Sequence, residues 1–102
     1  MSSEPLRTLH LISRPGDRRA WAAAARSSPS GPIVVLIHDA VMETPGSVAG
    51  YLGDDGHSPL ALDQVVASGR DATRRQVAGR WPTIDYRRMV QLMAEVDRVI
   101  SW

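Results

Sequence analysis

The chain has 102 residues, a length typical of one domain, and its 43% hydrophobic and 23% charged content is that of a globular protein. It contains no cysteine and no lysine, which excludes disulfides, thiolate nucleophiles, cysteine-ligated metals and Schiff-base catalysis. The net charge of +1 predicts no long-range steering, no apolar run approaches the ~18 residues of a membrane span, and the start of the chain is unlike a secretory signal. We therefore expect a single cytoplasmic domain over residues 1–102 with no membrane association.

The first elements predicted are a strand, a turn and a helix. Thr8–Ile12, with three aliphatic residues, is predicted as a short strand, and we expect its His10 to be a hydrogen-bonded structural histidine rather than a catalyst. Residues 13–16 contain proline and glycine, which favour a turn. Asp17 can then cap a helix that runs to Arg26 and contains four consecutive alanines, the strongest helix former.

The apolar run at residues 33–37 predicts the central strand of the fold. Its five residues are all large and apolar, four of them β-branched, and they do not alternate with polar residues. This pattern is typical of a strand buried on both faces, which needs helices above and below it. His38 and Asp39 follow at the carboxyl end of this strand, where ligands of parallel sheets bind. They form a candidate strand-end site, although we expect Asp39 mainly to hold the following loop through backbone N–H groups.

The second half of the chain continues to alternate helices and strands. Pro45 favours a first helical turn, and Gly69 suits the position after a helix end. The remaining predicted elements are a helix at 46–52, a strand at 58–62, a helix at 64–68 capped by Asp63, a helical turn at 71–79, strand Thr83–Ile84, a helix at 86–96 and a strand at 99–102. The fold class predicted is therefore α/β, a three-layer α/β/α domain with a small, mostly parallel sheet of about five strands.

Motifs that carry catalysis are mostly absent. Neither a glycine-rich phosphate loop nor a G-x-S-x-G elbow occurs, and His10, His38 and His57 lack metal-ligand spacing. We predict no metal site and no cofactor. A small enzyme that uses His38 and Asp39 remains a further hypothesis.

Residues 70–88 are rich in arginine, with six arginines and two aspartates. The candidate basic patch consists of Arg70, Arg74, Arg75, Arg87 and Arg88. Such a patch can contact RNA or protein, or it can be a solvated helical surface. Few aromatic residues are interleaved with it, which argues against a platform for single-stranded RNA.

Three aromatic residues are candidates for contacts with a partner subunit, namely Trp21, Tyr86 and Trp102. An indole buries a large apolar area and donates one N–H, which suits a subunit junction. Two hypotheses are open for Trp102: the indole covers the core of its own chain, or it contacts a partner.

The order and spacing of these segments resemble the DsrH/TusB family of the DsrE/DsrF/DsrH-like superfamily. The resemblance extends over almost the whole chain and rests on Leu9-His10 with Ser13 and Pro15, residues 33–41, residues 62–69, Ile84-Asp85-Tyr86 and the closing Ser101-Trp102. Ala40 stands where the family commonly has glycine, so the turn after the central strand can differ here.

The resemblance implies a subunit of a heterohexamer with DsrE/TusD-like and DsrF/TusC-like partners. Such complexes pass persulfide sulfur, with a TusA-like carrier involved indirectly, toward 2-thiolation of wobble uridine in tRNA or within dissimilatory sulfur oxidation. Some relatives carry a cysteine in the first helix, where residues 21–25 of this chain are a tryptophan and four alanines. Without a thiol the chain cannot hold a persulfide.

The sequence therefore favours a non-catalytic, structural subunit of a sulfur-relay complex, with tRNA contacted at most indirectly. The alternative is a stand-alone ligand- or RNA-binding α/β module, which would use the strand-end pair or the arginine cluster.

Overall fold

A five-stranded parallel sheet organises the computed structural model, which describes residues 7–27, 34–53 and 64–102. The strands lie in the order β4-β3-β2-β1-β5, and every neighbouring pair is parallel. In chain order the elements are β1 (Thr8–Ile12), α1 (Arg18–Ser27), β2 (Val34–Leu36), a 3₁₀ helix (His38–Met42), α2 (Pro45–Gly53), β3 (Val65–Ser68), α3 (Gly69–Arg74), β4 (Thr83–Ile84), α4 (Tyr86–Glu95) and β5 (Arg98–Ser101). The predicted α/β class with a parallel sheet between helices is confirmed.

Strand β2 lies in the middle of the sheet and is buried on both faces, as the apolar run predicts. Val34, Val35 and Leu36 are all 0% exposed. Val34 and Leu36 belong to the larger core cluster, which includes residues of α1 and α2. Val35 points to the opposite face, where it packs with Leu9 and with Leu92 of α4.

The strand order determines which helices cover which face. The three crossovers from β1 to β4 advance in one direction across the sheet, so their right-handed connections lie on one face, where α1 and α2 pack on the core. Helix α4 connects β4 at one edge to β5 at the other and therefore crosses the opposite face. We call these the two-helix face and the one-helix face.

The predicted helix at residues 64–68 is wrong, because this segment forms strand β3. It contains two consecutive valines, and Val65 and Val66 pair in register with Val34 and Val35 of β2. Pairing beside the central strand thus outweighs the weak local helix signals. The third strand predicted at 58–62, and the cap at residue 63, lie outside the described residues.

Gly69 begins helix α3 and does not end a helix. A Cβ added at Gly69 would lie 3.4 Å from the carbonyl oxygen of Ile84, an ordinary van der Waals distance, so the packing of β3 against β4 does not require glycine here. The helical turn predicted at 71–79 starts two residues earlier than expected and ends at Arg74.

The other elements lie within a few residues of their predicted bounds. Asp17 caps α1, and its Oδ1 accepts a hydrogen bond from the Ala20 N–H at 3.1 Å. Strand β5 lies beside β1, with Thr8 opposite Arg98. Within the described ranges, no helix combines the length and apolar character needed to cross a bilayer.

Candidate functional site

A cleft of about 390 Å³ opens where β2, β3 and β4 end, and we call it the strand-end groove. It is lined by Ile37, His38, Ser68, Arg70, Asp71, Arg74, Ile84, Asp85, Tyr86 and Met89. These residues come from three separate chain segments. The groove therefore lies at the carboxyl edge of the sheet, where ligands of parallel α/β folds bind.

The apolar part of the groove continues into the core. Ile37, Ile84 and Met89 are partly buried and pack against the small cluster on the one-helix face. The groove thus combines an apolar wall anchored in the core with polar and charged side chains from the strand ends.

Two aspartates in the groove are held by backbone hydrogen bonds. Asp71 Oδ2 accepts from the His38 N–H at 3.0 Å, which joins α3 to the 3₁₀ helix. Ser68 caps α3, and its Oγ accepts from the Asp71 N–H at 3.3 Å. Asp85 caps α4, and its Oδ1 accepts from the Arg88 N–H at 2.8 Å. The polar groups of the groove are therefore held in place by the hydrogen bonds that cap the amino ends of α3 and α4.

His38 lies at the predicted place, at the carboxyl end of the central strand and one residue beyond it, and it lines the groove. Its φ of 53° is in the left-handed region, which costs a non-glycine residue about 1–2 kcal/mol. The bond from its N–H to Asp71 helps to hold this conformation. Strained backbone of this kind clusters at functional sites.

Asp39 is directed to a different partner. Its carboxylate forms an ion pair with Arg75, and both side chains are about half exposed. Asp39 does secure the segment after β2, but through a guanidinium rather than through the expected backbone N–H groups. The backbone contact is made by Asp71 instead.

The five arginines of the predicted basic patch have three different surroundings. Arg70 and Arg74 line the groove, and no carboxylate among the described residues lies within ion-pair distance of either. Arg75 is paired with Asp39, and Arg88 donates to Glu95 at 3.3 Å. Arg87 is exposed on α4. The unpaired charge at the groove is thus concentrated on α3.

The three aromatic candidates also differ in their surroundings. Trp21, predicted to contact a partner, lies in the core instead and is 1% exposed, which leaves its indole no surface to offer. Tyr86 is 77% exposed and lines the groove. Trp102 is partly buried, stacks on His10 and donates its Nε1–H to His10 Nδ1 at 3.0 Å. Trp102 therefore covers the core of its own chain, and a partner contact through its exposed part stays a prediction.

His10 has the surroundings of a structural histidine. It is 0% exposed within β1, and Nδ1 is occupied as an acceptor. Burial lowers the pKa of His10, and the Arg98 guanidinium lowers the pKa further. His10 is therefore a neutral, buried side chain at ordinary pH.

A second polar cluster surrounds Glu43, which is 6% exposed. Glu43 Oε2 accepts from the Gly16 N–H at 2.7 Å, and Oε1 accepts from the Tyr51 hydroxyl at 3.2 Å. Burial and the neighbouring carboxylate raise the pKa of Tyr51, while Arg18, whose guanidinium lies 5.2 Å from the ring centre, acts in the opposite direction. All these groups are engaged with one another, so we interpret the cluster as structural.

Sequence analysis missed Ser68 and Asp71, although a local signal exists for them. Ser-x-x-Asp before a helix is a capping pattern, and interpreting residues 64–68 as a helix concealed it. The apolar wall of the groove and the Glu43 cluster carry no such signal, because their members are distant in sequence.

The groove contains charged and apolar groups that can contact a ligand. The chain has no thiol, and in the described parts of the chain no three histidine or acidic side chains are grouped to hold a metal ion. The groove brings together two guanidinium groups that have no ion-pair partner among the described residues, the carboxylates of Asp71 and Asp85, and an apolar wall. Comparisons with protein-family models and with curated proteins give no match to this chain.

Proposed function

We propose that this chain is a non-catalytic subunit of a DsrEFH/TusBCD-like sulfur-relay complex, with DsrE/TusD-like and DsrF/TusC-like partners. The observation that carries the proposal is the incomplete cover of the one-helix face. Support also comes from the segment order that resembles the DsrH/TusB family, and from the three-layer class that the resemblance implies. With no thiol here, the persulfide would stay on a partner's cysteine.

The one-helix face is wider than the helix α4 that packs on it. Five strands span about 19 Å, from four spacings of about 4.8 Å. Helix α4 has ten residues and presents a cylinder about 10 Å across. Leu11, Ile37, Val66 and Val99 on this face accordingly remain only partly buried. On the two-helix face, by contrast, Val34 and its neighbours are fully buried.

The outer surface of α4 adds to this apolar area. Tyr86, Val90 and Met93 are 77%, 45% and 38% exposed. Their spacing of four and three residues places them on one side of the helix. Exposed apolar surface that forms a continuous area is typical of protein interfaces. We expect Val90, Met93 and the open part of the sheet to contact a partner subunit.

The experiment is co-expression of the chain with DsrE- and DsrF-like proteins from the same genome, followed by purification through one tag. We expect a stoichiometric complex. Val90→Glu should remove the chain from the complex, while the melting temperature of the isolated chain changes little because Val90 is half exposed. The matched control is Ala49→Glu, which introduces the same charge at an exposed position of α2 and should leave the complex intact. Failure of the unaltered chain to co-purify, or equal loss with both variants, would contradict the proposal.

A stand-alone ligand-binding module is the second candidate function, and the strand-end groove is the observation that favours it. In that case the chain would purify without partners and would still bind a ligand. An RNA-binding module has less support, because two of the five arginines of the predicted patch are paired with carboxylates.

A further inference from the structure

We infer that the strand-end groove binds a nucleoside monophosphate, an organic phosphate with a hydroxylated sugar and a flat base. This goes beyond the proposed subunit role and does not depend on it. The groove has a volume of about 390 Å³, within the range of about 300–1,000 Å³ for small-molecule sites, and it lies at the carboxyl edge of a parallel sheet.

The phosphate would be bound by Arg70 and Arg74. They are four residues apart on α3, which places them on neighbouring turns of one helix side. Each guanidinium is a planar fork of N–H donors that matches phosphate oxygens in pairs. Arg75, the next residue, already has a carboxylate partner, whereas no described carboxylate pairs with Arg70 or Arg74. The free positive charge of α3 is thus directed to the groove.

The sugar would meet the two aspartates. Asp71 and Asp85 each use one carboxylate oxygen for a backbone N–H. Each keeps a second oxygen that can accept a hydrogen bond from a sugar hydroxyl. A bare phosphate or a simple fatty acid would make no use of these oxygens, so a hydroxylated ligand fits the groove better.

The base would lie against the apolar side of the groove. Tyr86 is 77% exposed, and Ile84 and Met89 also belong to the groove lining. An exposed aromatic ring is a stacking platform for a nucleic acid base. One cleft thus contains groups that can bind a phosphate, sugar hydroxyls and an aromatic base.

The test is titration of the isolated full chain, followed by calorimetry and by amide NMR, with adenosine 5′-monophosphate, inorganic phosphate and adenosine as separate probes. We expect the nucleotide to bind at least about tenfold more tightly than either part, because both halves contribute. Arg74→Gln should weaken nucleotide binding about tenfold or more. Tyr86→Ala should weaken nucleotide binding but not phosphate binding.

The matched control is Arg75→Gln. It removes the same charge at the next residue, whose side chain lies outside the groove, and it should change the affinity for the nucleotide less than about twofold. The proposal is overturned if the nucleotide gives no saturable response at about 10 mM, or if it binds no better than phosphate. It is equally overturned if Arg75→Gln and Arg74→Gln weaken binding alike, because this indicates non-specific attraction. Val90→Glu should retain nucleotide binding, so the outcome is separable from that of the subunit proposal.

Discussion

Acidification should destabilise this protein through His10. The Trp102 indole can only donate, so the hydrogen bond between Trp102 Nε1 and His10 Nδ1 requires the imidazole proton to lie on Nε2. Protonation would place a second N–H opposite the indole N–H and a charge in the core. Burial first, and the Arg98 guanidinium second, lower the pKa of His10 from its ordinary value of 6.5.

The sign of the effect follows from proton binding. A lowered pKa in the folded state means that the unfolded chain binds more protons at pH values between the folded pKa and 6.5. The free energy of unfolding is therefore unaffected by His10 above about pH 6.5 and falls as the pH decreases below it. One proton gives a slope of at most about 1.4 kcal/mol per pH unit, and the slope ends below the folded pKa.

The assay is urea unfolding at a series of pH values from about 8 to about 5, at constant ionic strength. In His10→Gln the side chain does not titrate, so this variant should lose less stability than the parent below about pH 6.5. The matched control is Leu9→Ala at the neighbouring buried position of β1, which removes no titratable group and should keep the parent's dependence of stability on pH. Parallel loss of stability in the parent and in His10→Gln would refute the reasoning.

Three further substitutions test other parts of the structure by thermal and urea unfolding. Val35→Asp buries an unpaired charge beneath α4 on the one-helix face and should cost about 3–5 kcal/mol, which is comparable with the total stability of a domain. A parent-like melt would contradict the central position of β2. Glu43→Ala removes the acceptor of the Gly16 N–H and should lower the free energy of unfolding by about 2–4 kcal/mol. Glu43→Gln keeps an acceptor and should lower it clearly less. Equal losses in the two variants would show that only the packing of the side chain matters. Trp102→Phe keeps a ring but no donor and should lower stability by about 1–2 kcal/mol, and an unchanged melt would indicate that the indole serves only an exposed contact.

The central strand and the location of His38 could be predicted because they depend on local pattern. An apolar run without alternation has few explanations other than burial on both faces. The residue that follows such a strand must lie where the parallel strands have their carboxyl ends. Strand β3 could not be predicted in the same way. A four-residue segment is too short to display a period, and the helix caps expected around it outweighed two competing signals, the consecutive valines and the Ser-x-x-Asp pattern that begins the next helix.

The groove could not be predicted from the sequence, for a physical reason. It is assembled from residues near positions 37, 70 and 85, and only the fold brings these segments together. The same holds for Trp21 and Tyr86. Both are large aromatic side chains with a polar atom, and only their positions in the fold decide that one is 1% exposed and the other 77% exposed.

The pairing of β1 with β5 has a consequence for the rate of folding. Thr8 and Arg98 are neighbours in the sheet but are 90 residues apart in the chain. Contacts so distant in sequence require loop closure before they contribute any stability, and such topologies fold slowly. Until β5 docks, the outer edge of β1 presents unpaired backbone groups to any other chain. The lifetime of that open edge during refolding, rather than the final stability, should limit the protein concentration at which refolding outcompetes aggregation.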